Sequence, residues 1–206
     1  MHSVYYVHYM FYWQGVDRPS PQRLERERPY NLFFALLPEP KIVSQVSELG
    51  ATVCGAHRLR GKPIWPDRLH ITLLSAVIRQ CGLVENATTA KRAATRVNAP
   101  AFDLALDITE SYYVAAGGHP FVLSSGDGLE AVKALRWSIV GAMAEEGFRM
   151  RVPRDDDAHM TLMWADRRVG EYPILPICWK VREFALVLSY VGESRHEHLA
   201  KWRLRS

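Results

Sequence analysis

Two tetrapeptides of nearly the same sequence, His70-Ile71-Thr72-Leu73 and His159-Met160-Thr161-Leu162, stand far apart in the chain. The chain holds eight histidines, and average residue frequencies put the chance that two of them independently precede x-Thr-Leu on the order of one in a thousand. In a strand, residues i and i+2 point to the same face. His70 and Thr72 then share one face and Leu69, Ile71 and Leu73 the other, while His159 and Thr161 oppose Met160, Leu162 and Trp164. An imidazole titrates near neutrality, so one of a facing pair can take a proton while the other gives one. Threonine hydroxyls can donate to non-bridging phosphate oxygens, where charge must be held in the transition state. Together these are the parts of an in-line phosphodiester cleavage that needs no metal. A single His-x-Thr is most simply a half-buried strand residue; duplicated placement has no such packing explanation.

Other residues carry weaker signals. Asp157-Ala158-His159 is a D-x-H of the kind metallophosphoesterases use, but no asparagine-histidine motif follows Gly126-Asp127, so Asp155 to Asp157 reads as a solvated turn and no metal site is expected. His119, His196 and His198 lack a partner motif and read as surface residues. Arg58, Arg60, Lys62 and Arg68 precede the first motif, either as an ordinary solvated loop or as a basic rim for RNA phosphates. Trp65 and Trp164 can stack on a base, although packing within the fold is the commoner fate of tryptophan.

The elements that must position these groups follow from patterning. With 206 residues, 48% of them apolar and 23% charged, the chain can bury a sizeable core as one domain or two small lobes. Cys54, Cys81 and Cys178 are too few and too scattered for a disulfide framework or a cysteine-built zinc site. The net charge of +4 suits an anionic partner. No apolar run is long enough for a membrane span, and Met1 to Trp13 lacks the pattern of a secretory signal, so the expected location is cytoplasmic. Residues 1–28, aromatic and then rich in proline and arginine, read as an extension outside a core of 29–206. Strands are expected at Asn31–Leu37, Leu69–Leu74, Phe102–Val114, Phe121–Leu123, His159–Trp164, Val181–Tyr190 and His198–Leu204. Helices are expected at Lys41–Ala56, Leu83–Val97 and Gly128–Gly147, the last with Gly147 as its C-terminal cap. Without a βαβ rhythm this is an α+β fold with largely antiparallel sheet. Its helix-then-His-strand order occurs twice.

The pair of H-x-T motifs resembles the 2H phosphoesterase superfamily, and within it the bacterial 2′-5′ RNA ligase/RNA 2′,3′-cyclic phosphodiesterase family. The likeness runs from about Tyr30 to Leu204, through NLFFALLP, GKPIWPDRLHITLL, FVLSSGDGLEAVKALRWSIVGAMAEEGF and WKVREFALVLSYVGESRHEHLAKWRL. The resemblance implies a bilobal, pseudo-twofold α+β fold of antiparallel sheets and flanking helices, with one motif per lobe lining a central cleft. It implies metal-independent opening of RNA or nucleotide 2′,3′-cyclic phosphate ends to a 2′-phosphate, without a cofactor, and the reverse 2′-5′ ligation. By the same resemblance His70 matches the proton donor, His159 the acceptor, and Thr72 and Thr161 the phosphate-contacting hydroxyls. Many members place an arginine five residues past the second histidine; here that residue is Trp164, and Arg167 and Arg168 follow as candidate substitutes. A monomer is expected. The alternatives are a catalytically silent RNA- or nucleotide-binding module of the same fold and a metal-dependent phosphoesterase.

Overall fold

A computed structural model describes residues 30–78, 82–112, 118–126, 129–148 and 158–206. The expected N-terminal extension and Asp155 to Asp157 lie outside the described residues. In chain order the elements are β1 (Tyr30–Leu36), α1 (Pro40–Ala56), β2 (Gly61–Pro63), a 3-10 turn (Pro66–Arg68), β3 (Ile71–Ile78), α2 (Leu83–Thr95), β4 (Phe102–Ser111), β5 (His119–Ser124), α3 (Glu130–Glu145), β6 (Met160–Ala165), β7 (Tyr172–Val181), β8 (Glu183–Tyr190) and β9 (Arg195–Arg203). The strands form a nine-stranded antiparallel sheet in the order β7-β4-β5-β6-β3-β1-β8-β9, with β2 added to β6. The fold is α+β, as the mixed patterning requires.

The sheet is two halves joined at one point. β3 and β6 share a single registered pair, Ile71 with Met160. The rest of that edge of β6 is occupied by β2, which pairs Gly61 with Ala165, Lys62 with Trp164 and Pro63 with Met163. By taking those backbone groups β2 holds β3 off, and the half-sheets β3-β1-β8-β9 and β7-β4-β5-β6 diverge. The helices cross over: α1, which follows β1, packs on β6 and β7, whereas α3, which follows β5, packs on β3 and α2. That exchange is the pseudo-twofold relation in physical form.

One large core lies between the sheet and the helices, and includes Leu32, Phe34 and Leu36 of β1, Ile42, Val46 and Val53 of α1, and Val132, Leu135 and Ile139 of α3. A smaller cluster of Phe33, Ala35, Ala185 and Val187 covers the opposite face of β1 and β8. α3 ends as its glycine predicts. Gly147 has φ +81°, and the Gly147 and Phe148 amides donate to the Ala144 and Met143 carbonyls at 2.9 and 3.0 Å, a Schellman motif.

Each histidine motif ends in a β-bulge at its leucine. Against β1 the register passes from Ala35–Thr72 to Phe34–Leu74, so Leu73 has no partner. Against β5 it passes from Val122–Thr161 to Phe121–Met163, so Leu162 has none. Both orphaned carbonyls are satisfied elsewhere: Leu73 O accepts from Nε of the buried Arg136 at 2.8 Å, and Leu162 O from the Ile64 amide at 2.9 Å. Beyond each bulge the alternation reverses. Leu73 and Leu74 are both buried in the main core, as are Leu162 and Met163, and Cys54 of α1 meets Met163 at 3.0 Å between sulfurs. Trp164 therefore stands on the face of Thr161, not opposite it as strict alternation predicts, and Ser75 is its counterpart in β3.

Gly61 is held to its residue type by this arrangement, because a Cβ there falls on the Trp164 carbonyl. Gly61→Ala is expected to cost about 1–3 kcal/mol and to detach β2 from β6. Chemical denaturation together with faster amide exchange at Ile64 checks this; an unchanged midpoint with protected Ile64 contradicts it.

Candidate active site

The seam between the half-sheets brings the two motifs together. Continuing the Ile71–Met160 register by one residue each way sets His70 beside Thr161 and Thr72 beside His159. All four are half-buried and lie on the face away from the helices. The two imidazoles occupy opposite corners of this array, on either side of the Ile71–Met160 pair.

His70 is tightly held. Its Nδ1 lies 2.7 Å from the Arg68 carbonyl, so Nδ1 carries the hydrogen it donates there and Nε2 is left for proton transfer. The ring packs on Phe33 at 4.9 Å between centroids and on His196 at 5.3 Å. His196 also meets Phe33, at 5.5 Å. The surface reading of His196 is thus corrected: opposite Ser189 on β8, it is turned onto the open face and half-buried there, while His198 two residues on is exposed. The H-x-H spacing on a strand is the signal that puts both on one face.

In the second lobe the His159 ring meets Tyr112 edge-on, at 4.8 Å and 74°. Across β5, the Thr161–Val122–Glu110 register adds Glu110 to the same face, where it accepts from Ser124 Oγ at 3.3 Å. Burial raises the Glu110 pKa, against the hydrogen bond from Ser124; the Glu171 charge adds to the rise and the Arg168 charge opposes it. Arg168 itself is exposed. Arg167 turns away to the loop after α1, donating to the carbonyls of His57 and Arg58. Trp65 is 66% exposed and Trp164 42%, so neither packs into the core. Sequence reasoning missed Phe33, Tyr112, Glu110 and Ser124, which reach the site only through cross-strand register. Among the described residues no group of three His, Cys, Asp or Glu side chains is placed to hold a metal ion.

Electrostatics keeps the first-lobe imidazoles neutral. Burial, the largest influence, pulls His70 below the ordinary imidazole value; its backbone hydrogen bond opposes this, and the Arg68 and His198 charges add to it. His196 is pushed down to about 3 by burial, then by the His70, Arg68 and His198 charges. Both regain ordinary values on unfolding, so below about pH 6.5 the unfolded chain binds protons the native state refuses. Their stabilisation is complete above that pH and is lost as pH falls below it, the His196 part progressively towards about 3. The melting temperature is therefore expected to drop between about pH 7.5 and pH 5, and His196→Gln is expected to flatten part of that drop. An identical slope in the variant contradicts this account.

No protein-family model and no curated protein matches the chain. Solved structures do. E. coli LigT complexed with 3′-AMP is similar with a TM-score of 0.66 at 24% identity, covering 87% of this chain and 99% of that one. E. coli LigT in apo form gives 0.67 at 23% identity, with coverages of 87% and 99%. TT0787 of Thermus thermophilus gives 0.58 at 23% identity, covering 85% of this chain and 98% of that one. E. coli LigT has also been solved with phosphate, ATP and NADP+. The chain has the LigT fold.

Proposed function

We propose that this protein is a 2H phosphoesterase of the bacterial 2′-5′ RNA ligase type, which opens RNA or nucleotide 2′,3′-cyclic phosphate ends to a 2′-phosphate without a metal. The observation that carries the reading is the meeting of two H-x-T-L motifs about one residue pair, with two imidazoles and two hydroxyls on one face. The nucleotides and phosphate bound by E. coli LigT support a phosphate ligand for this fold.

In the proposed reaction the cyclic phosphate sits over the Ile71–Met160 pair, and Thr72 and Thr161 donate to its non-bridging oxygens. His159 takes a proton from water as that water attacks phosphorus in line. The bond from phosphorus to O3′ breaks, and His70 delivers a proton from Nε2 to that oxygen. A free 3′-hydroxyl and a 2′-phosphate remain. The resting protein holds His70 neutral, and the anionic phosphate opposite it raises its proton affinity, so the donor is loaded as substrate binds. Reversal joins a cyclic end to a 5′-hydroxyl as a 2′-5′ linkage; hydrolysis dominates in water.

The test is turnover of a nucleoside 2′,3′-cyclic phosphate and of an oligoribonucleotide with a cyclic end, with products separated as 2′- or 3′-phosphates. A 2′-phosphate product, with rates indifferent to EDTA, is expected. A 3′-phosphate overturns the assigned leaving group, and tight binding without turnover overturns catalysis.

A further inference from the structure

The open face must receive a phosphate anion, yet His70 and His196 offer it no charge in the resting protein. Arg167 is committed to backbone carbonyls, and Arg168 acts on Glu110. Arg68 is different. Its side chain is half-buried beside His70; among the described residues its buried Nε has no hydrogen-bond partner and its Nη2 meets His196 Nε2 alone, at 3.5 Å. Its charge is felt at both His70 and His196.

A half-buried guanidinium with no counter-charge beside it among the described residues is costly, and an anionic ligand removes that cost. A carboxylate in the place of His196 would neutralise the cation. A neutral imidazole accepts from the guanidinium and leaves its charge intact. The guanidinium fork also matches phosphate oxygens in pairs. We propose that Arg68 is the phosphate-binding cation of the cleft, receiving phosphate oxygens on the His70 side, with His196 as its positioning residue. The inference rests on the phosphoesterase reading and deepens it. It also accounts for a second motif that is followed by Trp164: the cation stands in the first lobe instead.

Arg68→Gln keeps the backbone carbonyl that orients His70, so it tests the side chain alone. With both a 2′,3′-cyclic mononucleotide and a cyclic-ended trinucleotide, KM is expected to rise about 10- to 100-fold and kcat to change less. Arg68→Lys is expected to recover part of the loss, and His196→Glu to reproduce the rise by pairing with the guanidinium. A rise for both substrates puts the reacting phosphate at Arg68; a rise for the trinucleotide alone puts the neighbouring phosphodiester there, and either result supports the proposal. Unchanged KM for both, with the wild type active, overturns it and leaves the phosphoesterase reading standing. If the wild type turns over neither substrate, that reading fails and calorimetry with a nucleoside 2′-monophosphate decides. Binding lost in Arg68→Gln then supports the proposal; equal binding, or none to the wild type, overturns it.

Discussion

His70→Ala and His159→Ala are each expected to lose about 10²- to 10⁴-fold in kcat/KM toward a 2′,3′-cyclic nucleotide. The double variant should fall little further, because acid and base act in one step. EDTA should change nothing in any of them. The pH profile separates the roles. The acceptor must be neutral, so His159 shapes the acidic limb, and His159→Ala removes it. The donor must be protonated, so His70 shapes the basic limb. Burial lowers its pKa in the free protein, and kcat/KM should therefore begin to fall with rising pH below the ordinary imidazole value near 6.5. Bound phosphate opposes that shift, so the same limb in kcat should lie at higher pH. Full activity in either alanine variant ends the two-imidazole mechanism. A limb removed by the other histidine exchanges their roles.

Arg136→Met is expected to have the largest effect on stability. Arg136 lies on α3, is 1% exposed, and donates to the Leu73 carbonyl at 2.8 Å. That carbonyl belongs to the bulge residue of the first motif, which has lost its partner in the β1 ladder. Removing the donor leaves a buried acceptor unpaired, at a cost of about 2–4 kcal/mol and a melting temperature lower by roughly 5–15 °C. Thr72, the residue before the bulge, should move with it, so kcat should fall in whatever fraction remains folded. Calorimetry and single-turnover rates check both effects. Unchanged melting means that the bulge is held by the surrounding packing alone.

The motifs were legible because chemistry demands particular residue types, and α1 and α3 because their apolar spacing is helical. Three features were not. β7 contains Pro173 and Pro176, which argue against a strand; they are tolerated because β7 lies at the sheet edge, where one side needs no ladder donors. The bulges at Leu73 and Leu162 leave no local signal, since leucine suits either face, and they reverse the alternation that the reading of Trp164 relied on. His196 looked solitary because its neighbours Phe33 and His70 come from β1 and the start of β3. Register between distant strands, which one sequence does not display, decided all of these positions.

The strand order also sets a timetable for a chain emerging from the ribosome. β4, β5, β6 and β7 follow one another with only α3 between them, so their half of the sheet can zip up during synthesis. Of the described elements β1 is made first but flanks β8, which comes near the end of their order. Until then one edge of Tyr30–Leu36, a strand apolar on both faces, stays unpaired. Closing so long a loop is slow, and an open apolar edge invites other chains. A nascent chain stopped before Glu183 would carry both histidine motifs and still leave that edge open to chaperones.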